Sequence, residues 1–130
     1  MNPKKKPAKH SISDSEVLRN IIIESIRHKK GEVIVSLNLK KIREAVTNYF
    51  IVCEASSSVQ VKAIAEQVLK SVNENAINTP SHVEGLKNME WVLIDFFDIV
   101  VHIFLKETRA LYRLELLWSD ADLENYDDVK

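Results

Sequence analysis

The sequence predicts a single α/β domain in which a mixed sheet of about five strands is flanked by helices. Stretches with helical periodicity alternate along the chain with short β-branched runs, which is the pattern of a layered α/β domain. The 130 residues can form one domain with a sizeable core. A composition of 45% apolar and 28% charged residues is ordinary for a globular protein. We therefore expect no second domain.

The first predicted helix follows a basic N-terminal stretch and ends near Gly31. Ser13 and Glu16 have the spacing of a capping box, and Ile12 and Val17 are placed for a hydrophobic staple. The apolar stripe of this helix comprises Leu18, Ile21, Ile22 and Ser25.

Two strands come next in the chain. The β-branched run EVIVSLNL (32–39) predicts the first, and KKIREAVT (40–47) predicts a short turn or 3₁₀ segment. NYFIVCEA (48–55) is almost continuously apolar, as expected for a strand buried on both faces. It contains the single cysteine, Cys53, so an intrachain disulfide is excluded and the expected role of the thiol is that of a small buried hydrophobe.

A second helix and an irregular segment follow these strands. Residues 56–76 predict the helix, with Ser57 or Ser58 as its N-cap. Its apolar stripe comprises Val61, Ile64, Ala65, Val68, Leu69 and Val72. The segment 77–90 is irregular, and we expect one short strand near Val83.

The stretch WVLIDFFDIVVHIF (91–104) predicts a hairpin. A two-residue turn at 96–97 would place Trp91 opposite His102 on one face of the sheet. The other face would carry only apolar side chains and must contact the helices, and its members are Val92, Ile94, Ile99, Val101 and Ile103. A longer loop would shift the register and exchange the two faces.

A final helix is predicted from about Thr108 to Trp118. The residues expected to close the core from this helix are Leu111, Leu114, Leu117 and Trp118. Arg109, Tyr112 and Glu115 would then lie on an adjoining face. That face is either solvated, with an intrahelical Arg–Glu pair, or a protein contact, since Tyr and Arg are frequent at interface hot spots.

The two ends of the chain have opposite charge. Residues 1–12 are predicted to be a basic disordered tail, with lysines at Lys4, Lys5, Lys6 and Lys9. This tail either increases solubility or makes a peripheral contact with nucleic-acid phosphates. Residues 120–130 are predicted to be an acidic tail, which leaves 13–119 for the folded domain.

Five motifs, taken in order, resemble those of the ribosomal silencing factor family, also called Iojap-like. They are NYFIV, SSSVQVKAIAEQV, VEG, WVLIDFFDIVVHIF and ETRALYRLELLW. The resemblance extends from Glu16 to Asp122 and implies a nucleotidyltransferase-like fold without the catalytic apparatus. It also implies binding to the large ribosomal subunit through ribosomal protein uL14, which blocks joining of the small subunit and lowers translation when nutrients are short.

Two turns depart from the pattern of the family. Where the family usually has a glycine after the second strand, this chain has CEASSS, and where the family usually has D-Y-G-D, this chain has DFFD. Neither departure changes the expected contact surface.

The resemblance also decides between two interpretations of Trp91. The residues alone favour packing under the C-terminal helix, whereas the resemblance favours contact with another protein. The predicted partner-binding residues are Trp91, Asp95, His102, Phe104, Arg109, Tyr112 and Glu115.

An enzyme is the main alternative, because Asp95, Asp98, His102 and Glu107 could be proposed as an acid/base or metal site. A nucleotidyltransferase needs a glycine-serine turn that holds phosphates beside paired carboxylates. EASSS has no glycine, and the two aspartates lie across a turn. We therefore expect no catalytic residue, metal or cofactor. An RNA-binding accessory factor in ribosome biogenesis is a further alternative, but only the basic tail, which could make a peripheral contact with ribosomal RNA, supports it.

Location and oligomeric state complete the expectations. No apolar run approaches the roughly 18 residues that span a bilayer, and the N-terminus lacks the apolar region of a signal peptide, so we expect a cytoplasmic protein with no membrane partner. The family resemblance suggests a homodimer when the protein is free. Its interface could combine an exposed sheet edge with the apolar surface of the last helix.

Overall fold

A computed structural model describes residues 14–45, 47–75, 80 and 82–126. The helices are α1 (Asp14–His28), α2 (Ser58–Glu74), α3 (Lys106–Tyr112) and α4 (Leu114–Leu117). The strands are β1 (Glu32–Asn38), β2 (Tyr49–Ala55), β3 (His82–Glu84), β4 (Trp91–Asp95), β5 (Ile99–Leu105) and β6 (Asp122–Asn125). The predicted capping box and staple involve Ser13 and Ile12, which lie outside the described residues.

All six strands form one mixed sheet in the order β3-β4-β5-β2-β1-β6. Strands β2 and β5 are parallel, and the other neighbours are antiparallel. The α/β class is confirmed, with one strand more than expected. The additional strand, β6, lies within the predicted acidic tail and pairs with the outer edge of β1. Its side chains are all exposed, and because backbone pairing needs no apolar periodicity, its sequence carried no strand signal.

Helices α1 and α2 cover one face of the sheet and enclose the main core. The hairpin face predicted to contact helices does so, and its five apolar residues are fully buried. Ser57 is the N-cap of α2, where its side chain accepts a hydrogen bond from the Gln60 amide at 3.2 Å. In the described part of the chain, no helix is long and apolar enough to cross a membrane.

The hairpin register differs from the prediction by two residues. Trp91 pairs with Phe104, whereas the two-residue turn would have placed it opposite His102. The difference arises because the last cross-strand pair is Asp95 with Val100, so that four residues lie between the two members of that pair where two were predicted. Phe96, the first of them, turns inward and is buried in the core under the helices. A shift of two residues leaves every side chain on its predicted face.

The predicted last helix is interrupted at Arg113, which has a left-handed backbone conformation with φ of 52°. The interruption divides the helix into α3 and α4. Of the leucines predicted to close the core, only Leu114 is buried, while Leu111 and Leu117 are exposed. A spacing of three residues keeps side chains on one face only within a continuous helix, and the left-handed residue reorients α4.

Candidate protein-binding surface

Within the described ranges, the second face of the sheet is covered by the short helices α3 and α4. A smaller core lies here, formed by Val35, Val52, Phe104 and Leu114. Aromatic side chains pack in and around this core, and several of them remain partly exposed. We call this group the aromatic cluster, and it consists of Phe50, Trp91, His102, Phe104, Tyr112 and Trp118.

Trp91 is the centre of the aromatic cluster. Its ring centroid lies 4.8 Å from that of Phe104 and 4.9 Å from that of Tyr112. The indole Nε1 donates a hydrogen bond of 3.1 Å to Nδ1 of His102. Trp91 is partly buried, while Tyr112 is 53% exposed. The indole is therefore held in one orientation beside an accessible phenol, as expected of an aromatic anchor.

His102 and Phe104 lie beneath this pair. His102 is 3% exposed, and burial lowers its pKa to about 4, so the ring is neutral near pH 7. Because Nδ1 accepts from Trp91, the proton of the neutral ring resides on Nε2. That nitrogen is buried without a hydrogen-bond partner among the described residues. Phe104 is fully buried. Both residues support the surface from inside.

Arg109 is not on an exposed face, which corrects the expectation. It is only 7% exposed, and its Nε donates to Glu115 Oε2 at 3.0 Å. The same guanidinium donates to the carbonyl of Val33 at 2.7 Å and to Glu54 Oε1 at 3.4 Å. Arg109 and Glu115 thus form an ion pair that spans the interruption between α3 and α4. The long side chain of Arg109 points inward because its guanidinium is stabilised there by the carboxylates of Glu54 and Glu115 and by the carbonyl of Val33.

Glu54 and Val33 are participants that the sequence interpretation missed. Glu54 is a carboxylate within the apolar run IVCEA, and a charge in such a run requires a partner, which was the available signal. Val33 lies in a β-bulge of β1, where the pairing with β2 shifts by one residue. Its φ of 48° is unusual for a β-branched residue, and the local sequence contains no signal that predicts this backbone conformation.

Asp95 is separated from the other predicted site residues. It lies at the opposite end of β4 from Trp91, about 13 Å away at the usual rise of a strand. Its Oδ1 accepts a hydrogen bond from the Phe97 amide at 2.8 Å, and Asp98 accepts one from Ser15 at 3.2 Å. The two aspartates of the enzyme alternative therefore bond locally, at the turn and to α1. Over the described ranges, no group of three His, Cys, Asp or Glu side chains could hold a metal ion.

Three exposed leucines lie on α3 and α4, next to Tyr112 and Trp118 in the chain, and were not predicted as surface residues. They are Leu111 of α3 and Leu116 and Leu117 of α4, which we call the leucine ridge. Apolar side chains exposed together on neighbouring short helices often indicate an interaction site.

Comparison with known proteins identifies the family of this chain. Residues 12–130 match the family described as "Ribosomal silencing factor during starvation". The chain belongs to this family. It is 40% identical to a ribosomal silencing factor of Halalkalibacterium halodurans over 110 residues, which are 85% of this chain and 92% of that protein. It is also 40% identical to the Bacillus subtilis silencing factor over 99 residues, covering 76% of this chain and 82% of that one.

A solved structure gives the same answer at the level of the fold. A crystal structure of a Chromobacterium violaceum protein superimposes with a TM-score of 0.77 at 32% identity, over 83% of this chain and 88% of that one.

Two turns of this silencing-factor chain position the hairpin. Gly85, in the VEG motif, has a φ of 91°, and a Cβ added there would lie 2.0 Å from the carbonyl oxygen of Trp91. Glycine is therefore required where this loop meets Trp91. At the hairpin turn, Phe97 has a φ of 83° and is 77% exposed. The departure from D-Y-G-D thus places an aromatic residue in a backbone conformation that favours glycine.

Proposed function

We propose that this chain binds the large ribosomal subunit through ribosomal protein uL14 and sterically blocks association with the small subunit. Translation would be repressed in this way under nutrient limitation or in stationary phase. Membership of the silencing factor family supports the role. The observation that carries the choice of surface is the Trp91–Tyr112 pair, held half-exposed on the incompletely covered face of the sheet.

We define the docking surface as Trp91, Tyr112 and the leucine ridge. Aromatic anchors flanked by apolar side chains, with charged residues outside them, are typical of the centre of a protein interface. Lys106 is exposed on α3 and Arg113 is exposed at the junction between α3 and α4, and both could form part of a polar rim. Asp95 would lie at the periphery, and the buried predicted residues would act by holding this surface in place.

Steric blocking needs only a modest contact. A stable interface covers roughly 800 Å² on each partner. The protein exposes 7631 Å², so such a contact occupies about a tenth of its surface. The remainder of a 14.9 kDa domain would project into the space that the small subunit must enter. The proposed role is binding without catalysis, and it requires no cofactor.

The test compares three aromatic truncations. Trp91→Ala and Tyr112→Ala should each weaken binding to isolated large subunits by roughly thirtyfold, since losing an aromatic anchor costs about 2 kcal/mol. Phe97→Ala is the matched control, because Phe97 is an exposed aromatic residue at the far end of the hairpin. Co-sedimentation measures the binding, and light scattering of purified subunits measures their joining.

Thermal unfolding of each variant separates loss of contact from loss of fold. Tyr112 is the decisive position, since half of its side chain is already in solvent. If both variants keep the stability of the wild type and still block joining, the proposed surface is wrong. If wild-type protein never blocks joining, the proposed function is wrong.

We also propose that the free protein is a homodimer. The leucine ridge is apolar surface that a second copy could cover, at the same short helices that carry Tyr112. Light scattering at micromolar concentration should give twice the chain mass of 14.9 kDa. A monomer mass across that range would contradict the dimer.

A further inference from the structure

We propose that Arg109 is a positioning residue of the docking surface, which it serves by fixing α4 to the sheet through Glu115. The docking part of this inference rests on the proposed function. The structural part, a tie between α4 and the sheet, does not.

One guanidinium joins three other elements of the fold. Arg109 belongs to α3, and its nitrogens reach the Val33 carbonyl on β1, the Glu54 carboxylate on β2 and the Glu115 carboxylate on α4. The contact with Glu115 uses two nitrogens, Nε and Nη2, on the same oxygen. A planar fork of donors fixes direction as well as distance, which a lysine ammonium does not.

Helix α4 needs such a tie because little else fixes it. It has four residues, far fewer than a helix that is stable alone, and no side chain caps its N-terminus. Leu114 is buried, whereas Leu116 and Leu117 are exposed. Beyond Leu114, the contacts that hold it among the described residues include the edge contact of Trp118, which directly follows α4, with Phe50 and the ion pair of Glu115.

The chemistry of the tie favours geometry over stability. Removing a guanidinium and carboxylates from water is costly, and a well-packed apolar set in the same place is often at least as stable. The network also satisfies the carbonyl of Val33 in the left-handed bulge of β1. The bulge, the end of β2 and α4 are thereby held in one arrangement, and two leucines of the docking surface lie on α4.

Three isosteric substitutions test the tie. Glu115→Gln weakens the contact on the α4 side of Arg109, Glu54→Gln weakens the contact on the β2 side, and Glu107→Gln changes an exposed charge on α3. Amide hydrogen exchange of residues 114–118 in the free protein should accelerate about tenfold in Glu115→Gln, since a charge-assisted hydrogen bond is lost. It should change little in Glu107→Gln. In Glu54→Gln the thermal midpoint should fall, with less effect on residues 114–118.

Affinity for isolated large subunits tests the docking part. Glu115→Gln and Arg109→Lys should each weaken binding by about tenfold. If both substitutions act through the same ion pair, the affinity of the double variant should be about that of the single variant with the lower affinity. A direct contact between Glu115 and the partner would instead make the two losses multiply.

The outcomes test the structural part and the docking part of the inference separately. Unchanged exchange of residues 114–118 in Glu115→Gln would overturn the tie. Faster exchange with unchanged affinity would make Arg109 a residue of the fold alone and overturn its positioning role, as would multiplying losses in the double variant. If the wild type does not bind large subunits, the proposed function fails, while the exchange data still judge the tie.

Discussion

Replacing Phe97 by glycine should stabilise the protein although it removes an aromatic side chain. Phe97 has a φ of 83° at the hairpin turn, where a side chain costs about 1 to 2 kcal/mol relative to an ordinary conformation. Glycine adds about 0.5 to 1 kcal/mol of backbone entropy to the unfolded state. The ring is 77% exposed, so little packing is lost. At the midpoints of these two ranges, the expected net gain is about 0.75 kcal/mol.

The assay is urea and thermal unfolding of the wild type, Phe97→Gly and Phe97→Ala. A gain of that size should raise the melting temperature by about 2 to 4 °C in a domain of this length. Phe97→Ala removes the same ring but keeps a side chain at positive φ, so it should gain nothing. The turn contacts act through the Phe97 backbone, which donates to Asp95 and accepts from Thr47, and should survive in both variants. Equal stabilisation by alanine and glycine would refute backbone strain as the cause.

Two further predictions concern the support of Trp91. Gly85→Ala should destabilise the fold by about 2 kcal/mol or more, because the added Cβ would clash with the Trp91 carbonyl and alanine is strained at this positive φ. Urea unfolding measures the loss, and Leu86→Ala is the neighbouring control. An equal loss of stability in both variants would contradict the prediction. Burial lowers the pKa of His102 from 6.5 to about 4, so between these pH values the unfolded chain binds a proton at His102 that the native state does not bind. The contribution of neutral His102 to stability is therefore complete above pH 6.5 and is lost as the pH falls toward 4. Between pH 7 and pH 5 this amounts to about 2 kcal/mol, and the loss should be smaller by that amount in His102→Gln; parallel stability profiles would show that His102 does not titrate in this way.

The sequence predicted those parts of the fold that depend on apolar periodicity. The stripes of α1 and α2 and the continuous run of β2 mark surfaces that must be buried, and burial selects helix or strand. The hairpin faces were predictable for the same reason, since a strand exposes alternate residues to opposite sides. Strand β6 was not predictable, because it is held through its backbone and all its side chains face solvent.

The turns limited the prediction of register. Nothing in the pair Phe96–Phe97 indicates that one ring enters the core while the other projects into solvent. That difference follows from the position of the turn over the α1–α2 core, which is a tertiary property. The left-handed residues Val33 and Arg113 are of the same kind, since surrounding contacts impose their backbone conformations.

For the candidate surface, the prediction of exposure holds for Tyr112 and is wrong for Arg109. Trp91 and Tyr112 come together as the hairpin and the following helix suggested. Arg109 was assigned to the surface because continuous helical spacing places it on the face that adjoins the predicted core leucines. Its burial depends on Glu54, a residue 55 positions earlier in the chain, and a contact over that separation has no local signal.

The edges of the sheet limit how copies of this protein can join. One edge is β6, which is exposed along its length and carries Asp122 and Glu124, and the other is β3, which has three residues. Strands that met at two β6 edges would bring carboxylates together, and β3 is too short to template a growing ribbon. The sheet therefore ends in strands that resist extension, which argues against the sheet edge as a dimer interface.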